Sequence, residues 1–321
     1  MDTIRVAVLD DYQGIALQLA DWTPVLSRAQ VDVFNDHLSD PAAVARRLEP
    51  YDVVCVMRER TPLRRDLIEQ LPNLKLIAST APRNASIDMR AAAERGIQVA
   101  HTGYTSSPTV ELTWALILAS ARHIVEENSS LRAGGWQHTL GDDLANKTLG
   151  IIGLGHVGSL VAKVALAFGM KVIAWSQNLT GEKAEAAGAA LVAKEQLLQA
   201  ADFVSIHLVL SARTTGLIGA AELALMKPTA RLINTSRGPI VVERALTQAL
   251  AEGRIAGAAI DVYDIEPLPA DHPYRKTAKL LATPHIGYVS RGLYETFYRD
   301  TVANIAAWLD AQSQARREHS P

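Results

Sequence analysis

Short apolar runs alternate with segments of helical periodicity along almost the whole chain. In the first third the runs fall at residues 4–9, 31–34, 53–57, 74–78 and 97–100, and they read as buried strands. Helical stretches lie between them with recognisable start and stop signals. Thr61-Pro62 precedes 63–71, Asp88 precedes 89–95, and Gly96 is placed to cap the latter. This βαβ rhythm predicts a parallel sheet covered by helices on both faces.

A longer helix is predicted over about 109–127, after Ser106-Ser107-Pro108. Its middle, from Trp114 to Ala119, is apolar on most sides, which calls for burial inside the fold or against a second subunit. Residues 131–146, with Gly134-Gly135-Trp136 and Gly141-Asp142-Asp143, read as an irregular arm. A second series then begins, with strands at 148–152, 171–175, 203–207, 231–234, 255–260 and 280–282 and a weaker one at 190–192. Helices are expected at 157–168, 195–200, 221–226 and 242–252, and an amphipathic helix over about 293–310. The fold class is therefore α/β, with two doubly wound parallel-sheet lobes in tandem. A length of 321 residues fits two lobes better than one.

Composition narrows function more than fold. The chain carries 32 basic and 34 acidic residues, a formal net charge of -2. Nucleic acid and anionic membranes both demand a basic field, so neither is expected as a partner. The single cysteine, Cys55, sits in an apolar run and has no metal-ligand spacing around it, so a buried strand residue and no metal are expected. No stretch approaches the roughly 20 apolar residues of a membrane helix. The first apolar run is too short and acid-flanked for a signal peptide, and a cytoplasmic protein is expected.

Gly153-Leu154-Gly155-His156-Val157-Gly158 matches G-x-G-x-x-G. The pattern alone is weak, but here it follows a predicted strand and opens a predicted helix, which is the context a dinucleotide site needs. The first glycine permits the tight turn, the second lets pyrophosphate approach the backbone, and the third lets helix and strand pack closely. The helix N-terminus adds free N–H groups and a partial positive charge. The cofactor is read as NAD or NADP. After 171–175 comes Ser176-Gln177-Asn178, with no carboxylate to repel a 2′-phosphate and no arginine to select one, so NADP should be tolerated.

Three polar residues share one position relative to their strands. Arg237 follows 231–234, Glu266 follows 255–260, and His285 follows 280–282. Ligands of open α/β sheets bind beyond the carboxyl ends of the strands, so parallel strands would bring all three toward the nicotinamide. Hydride transfer to a 2-oxo acid needs a carboxylate anchor, a proton source and a group tuning that source. Arginine anchors through a planar fork. Histidine exchanges a proton near neutrality, and a glutamate on its other nitrogen would fix the tautomer and raise its pKa. Singly, each has an ordinary alternative: a surface ion pair, a solvated loop acid, a satisfied loop histidine.

With these motifs in view, the chain resembles the D-specific 2-hydroxyacid dehydrogenases, the glyoxylate/hydroxypyruvate and glycerate dehydrogenases among them. The resemblance is carried by the glycine motif, Asn234-Thr235-Ser236-Arg237-Gly238, Gly257-Ala258-Ala259-Ile260-Asp261-Val262 and Pro284-His285-Ile286-Gly287. It implies Arg237 as substrate anchor and His285 with Glu266 as the proton-transfer pair. Asp261 is implied as a contact to the nicotinamide carboxamide, and His207, Thr235 and Ser176 as further cofactor contacts. It also implies a discontinuous, flavodoxin-like substrate domain (1–100 and 286–321), a Rossmann domain (101–285), and a homodimer held by the long helix and arm. The family's glycine-rich loop after the fourth strand is here Ser79-Thr80-Ala81-Pro82-Arg83-Asn84-Ala85. Pro82 removes an N–H there, while Arg83 and Asn84 add donors for substrate. Tyr104 and Tyr288 are candidates for the pocket lining. Two other functions suit the same scaffold. One is dehydrogenation of another small anion such as formate or phosphite, where formate dehydrogenases pair the histidine with glutamine rather than glutamate. The other is a nicotinamide-sensing binding protein.

Overall fold

The computed structural model describes residues 3–318, and its chain forms two compact units. One comprises residues up to Thr105 together with those from Val289 onward; the other is the continuous stretch Ser106–Tyr288.

The first unit is built on five parallel strands: β1 (Ile4–Val8), β2 (Ala29–Val33), β3 (Val53–Val56), β4 (Leu76–Ser79) and β5 (Gln98–His101). Their order is β2-β1-β3-β4-β5, a flavodoxin-like doubly wound sheet. Every residue of β3 and β4 is buried, which explains the unbroken apolar run of β3 and the Leu76-Ile77-Ala78 of β4, since parallel strands are covered on both faces. Helices Pro41–Leu48, Arg65–Glu69 and Met89–Glu94 contribute to the core beside Leu48, Leu67, Ile68 and Ile77. Helix Pro41–Leu48 is set by Asp40, whose carboxylate accepts from Ala42 N and Ala43 N ahead of Pro41. Helix Arg291–Glu318 packs against β4 and β5 and buries Tyr294, Phe297 and Tyr298. β2 begins two residues earlier than expected, because it pairs with β1 from Ile4↔Ala29 to Val8↔Val33. It is an edge strand whose residues are mostly half-buried, so its pattern is a weak guide to its ends.

The second unit carries seven parallel strands: β6 (Thr148–Ile152), β7 (Lys171–Trp175), β8 (Ala190–Leu191), β9 (Phe203–Ile206), β10 (Arg231–Asn234), β11 (Gly257–Ile260) and β12 (Leu280–Ala282). The order β12-β11-β10-β9-β6-β7-β8 reverses between β6 and β9, the switch point of a dinucleotide-binding sheet. One core lies among helices Ser107–Ala121 and His156–Ala167, and another among helices Lys194–Ala200, Ala220–Leu225 and Glu243–Ala251. The long helix expected over 109–127 is interrupted. It stops at Ala121, His123 takes a left-handed φ of 51°, and a second helix, Ile124–Arg132, follows with no buried residue. The arm causes the break: Asp142 N donates to Ala121 O at 2.8 Å, and Arg231 bonds both Asp142 and His123.

The chain passes between units at 105/106 and 288/289. The second crossing falls three residues beyond the expected 285/286, because Asp261 accepts from the backbones of Ile286 and Gly287 and keeps them in the second unit. Among the described residues no helix is long and apolar enough to cross a membrane, and no three His, Cys, Asp or Glu side chains gather as a metal site. Cys55 is buried, and burial pushes its thiol up to about 12.

Candidate active site

Because all seven strands of the second unit run parallel, every loop that follows a strand emerges at one edge of the sheet. The glycine motif lies after β6 at the switch point. Gly153 holds φ +102°, and a Cβ there would stand 2.6 Å from His207 O, so only glycine fits where the loops after β6 and β9 meet. A Cβ on Gly158 would fall 2.3 Å from Gly153 O. At Gly155 the situation is opposite: a Cβ would meet nothing within 4 Å. Helix His156–Ala167 starts there without a side-chain cap, leaving its first N–H groups to a ligand. Open space beside an uncapped helix N-terminus suits a pyrophosphate. His156 is exposed, Val157 half-buried, and Ser176 half-buried just past β7.

His207 follows β9, its Nε2 2.8 Å from the buried Ser205 Oγ, and burial pushes the ring down to about 4. The loop after β10 is shaped by Asn234. Its Oδ1 accepts from Ser236 N at 3.0 Å, and its Nδ2 donates to Arg237 O at 2.9 Å. Thr235 Oγ1 lies 2.8 Å from Thr113 Oγ1 and so ties this loop to helix Ser107–Ala121. Arg237 is half-buried, with Nη1 donating to Ser236 O at 2.8 Å.

The loops after β11 and β12 bring Glu266 and His285 together, with Glu266 Oε2 2.5 Å from His285 Nδ1. Glu266 Oε1 accepts from Tyr263 N at 3.0 Å, so both oxygens are committed. With Nδ1–H donated to a carboxylate, Nε2 is the nitrogen left to exchange a proton. The ring is 28% exposed, enough to be reached by a ligand. Its edge meets the Tyr288 ring at 5.6 Å, and Tyr288 is buried. Tyr263 Oη donates to Thr283 O at 2.7 Å and joins the two loops a second time. Asp261 is only 1% exposed and accepts from Thr283 Oγ1, Ile286 N and Gly287 N. Burial pushes its carboxyl up, and those donors oppose the shift.

In the first unit, Arg83 is exposed after β4. Asn84, expected as a substrate donor, is buried and braces the loops around it. Its Nδ2 donates to Arg58 O and Ser79 Oγ, and its Oδ1 accepts from Ser86 N and Oγ, which uses its whole hydrogen-bonding capacity. Tyr104 is 41% exposed beneath the Arg58 guanidinium, 5.2 Å from the ring centroid. Tyr263, Thr283 and Gly238 were not singled out by sequence reading. They act by holding loops, and only their neighbours in space reveal it.

The family model for the D-isomer specific 2-hydroxyacid dehydrogenase NAD binding domain matches residues 114–287. The chain is 43% identical over 236 residues to a glyoxylate reductase of Aeropyrum pernix, covering 70% of each. It is 37% identical over 295 residues to a hydroxypyruvate reductase of Thermotoga maritima, covering 89% of this chain and 92% of the relative. Among solved structures, a phosphoglycerate oxidoreductase from Vibrio cholerae matches with a TM-score of 0.90 at 34% identity, over 96% of this chain and 99% of the other. By these matches and by its doubly wound sheets, the chain belongs to the D-isomer-specific 2-hydroxyacid dehydrogenase family.

Proposed function

We propose that the protein reduces a small 2-oxo acid at C2 with NADH or NADPH, and oxidises the corresponding D-2-hydroxy acid in reverse. The observation that carries this reading is the 2.5 Å pair of His285 and Glu266 on loops beyond β12 and β11, with Arg237 beyond the adjacent β10. A nicotinamide cofactor supplies or accepts the hydride when bound. Gly153, Gly155 and Gly158, with the start of helix His156–Ala167, suit its pyrophosphate, and Ser176 would face the ribose carrying the 2′ group.

The residues of this chain do the rest. Arg237 holds the substrate carboxylate through a charge-assisted fork. His285 delivers the proton from Nε2 to the carbonyl oxygen as C2 becomes tetrahedral, and takes it back in the oxidising direction. Glu266 fixes the tautomer and favours the imidazolium electrostatically. Glutamate at 266 favours a hydroxy acid over formate as the substrate. The lack of a carboxylate after β7 supports tolerance of NADP. Ile124, Val125, Leu131, Trp136 and Leu140 leave apolar surface exposed on one helix and the arm, which supports a homodimer. A cytoplasmic location is part of the same proposal.

The test is initial-rate oxidation of NADH and NADPH against a panel from glyoxylate and hydroxypyruvate to pyruvate and branched or aromatic 2-oxo acids. Turnover abolished by Arg237→Ala and by His285→Ala is the expected result. Cofactor binding without turnover on any of these acids would overturn the reading and turn attention to formate, phosphite or a sensing role.

A further inference from the structure

We propose that Glu243 and His272 form a latch that positions Glu266 for the proton-transfer step; this rests on the acid/base role of His285 and Glu266 given above. Glu266 lies on a long excursion that leaves β11, and no strand or helix shapes the chain between Asp261 and His272. Glu243 opens helix Glu243–Ala251, where an acidic side chain ordinarily faces the positive end of its own helix. Here the carboxylate reaches across to the neighbouring loop instead. Oε1 accepts from Asp264 N at 3.4 Å, just before Glu266, and Oε2 lies 3.1 Å from His272 Nε2, farther along the same loop. One carboxylate thus holds both shoulders of the loop that carries Glu266.

The latch has a defined polarity. His272 Nδ1 accepts from Tyr274 N at 3.2 Å, so Nε2 carries the proton and donates to Glu243. The imidazole is therefore both the cap of the turn Pro273–Arg275 and the handle by which Glu243 holds that turn. From His272 the restraint returns to Glu266 by two routes. Along the backbone, His272 N donates to Pro269 O at 3.2 Å, while Arg275 donates from Nε to Pro269 O at 2.8 Å and from Nη2 to Leu268 O at 2.6 Å. These bonds close the segment that directly follows Glu266. Through the interior, the His272 ring meets the buried Tyr274 ring at 5.1 Å, and Tyr274 packs on Tyr263 at 6.4 Å. Tyr263 N holds Glu266 Oε1, and Glu266 Oε2 meets His285 Nδ1 at 2.5 Å. A carboxylate suits position 243 because both of its oxygens accept and neither donates. A glutamine has one acceptor oxygen, so it must turn an N–H toward the Asp264 amide or toward His272 Nε2.

The experiment compares His272→Asn, His272→Gln and Glu243→Gln with the intact enzyme and with His285→Ala. It follows kcat, substrate KM, the solvent deuterium isotope effect on kcat, and cofactor affinity by NADH fluorescence titration. The two changes at 272 divide the functions of the ring. Asparagine keeps a short acceptor for Tyr274 N but stops short of Glu243, whereas glutamine reaches Glu243 with an N–H and gives up the cap. His272→Asn and Glu243→Gln are expected to lose kcat on the order of tenfold, within the roughly 100-fold that a 1 Å misplacement costs. Their solvent isotope effect should rise and their NADH affinity should stay unchanged. His272→Gln is expected to recover most of the loss. A fold that is merely weakened would lower the active fraction and leave the isotope effect alone. Wild-type kinetics in His272→Asn and Glu243→Gln would overturn the latch, and so would a His272→Gln as impaired as His272→Asn. Should His285→Ala itself turn over normally, the acid/base reading fails and the latch's purpose with it. An inactive His285→Ala beside fully active His272→Asn and Glu243→Gln removes the latch alone.

Discussion

Gly238 gives the sharpest test of how the candidate site is held together. It follows Arg237 and is buried against the loop that carries Glu266. A Cβ built on it would lie 2.1 Å from Tyr263 C, 2.3 Å from Tyr263 O and 2.6 Å from Asp264 N. Ordinary carbon contacts need about 3.5–4.0 Å, so Gly238→Ala is short by roughly 1.5 Å. Both sides of this contact are backbone, and no side chain can rotate out of the way. Overpacking of this kind costs about 1–3 kcal/mol of stability. The displaced segment includes Tyr263, whose N–H holds Glu266 Oε1, and Glu266 holds His285. A shift near 1 Å passed along that chain predicts a fall in kcat on the order of 100-fold, well beyond what the stability loss alone gives at room temperature. Urea unfolding and steady-state kinetics on the same preparation separate the two effects. Stability lost with kcat unchanged would refute the reasoning, because it would mean that the Glu266 loop yields without moving the pair.

Three further outcomes follow from single features. Ser176→Asp places a carboxylate where a 2′-phosphate would sit, and the NADPH-to-NADH ratio of kcat/KM should drop on the order of tenfold or more; an unchanged ratio would move the 2′ site elsewhere. His207 is held near 4 against 6.5 for a free imidazole. The unfolded chain therefore binds a proton that the folded chain refuses, and stability present above pH 6.5 is lost as pH falls toward 4. The loss is at most roughly 3 kcal/mol, less for a residue only half-buried, and should vanish from the pH–stability curve of His207→Gln. Gly292 has nothing within 4 Å of a built Cβ and lies in helix Arg291–Glu318. Gly292→Ala should stabilise by about 0.4–1 kcal/mol, read as a higher urea midpoint.

What the sequence made legible were features with a local signature. The glycine motif announces itself through its strand and helix, and β3 and β11 through unbroken apolar runs. Arg237, Glu266 and His285 could be aligned because parallel strands share one carboxyl edge. Features set by partners distant in sequence were hidden. The interruption at His123 depends on Asp142 and Arg231, and the start of β2 on its register with β1. Asn84 reads as a donor for substrate, and its four hydrogen bonds, one of them to Arg58 O in the loop after β3, are legible only in the structure. Gly238 sat in a motif read for other reasons, while its close packing on the backbone of Tyr263 and Asp264 appears only in three dimensions.

The split first unit also sets an order of assembly on the ribosome. Its sheet comes from residues up to Thr105, but helix Arg291–Glu318, which packs against β4 and β5 and buries Tyr294, Phe297 and Tyr298, is made only after the whole second unit. At about 5–20 residues per second the intervening synthesis takes roughly 10–40 s. During that interval the apolar face of the early sheet has no lid, while the uninterrupted second unit can close as soon as it emerges. Stalled nascent chains should therefore show residues 106–288 resisting protease before residues 1–105 do. A permutant that begins at Val289 and joins the closing helix directly to the first strand would reverse that order and shorten the exposure of the early sheet to chaperones.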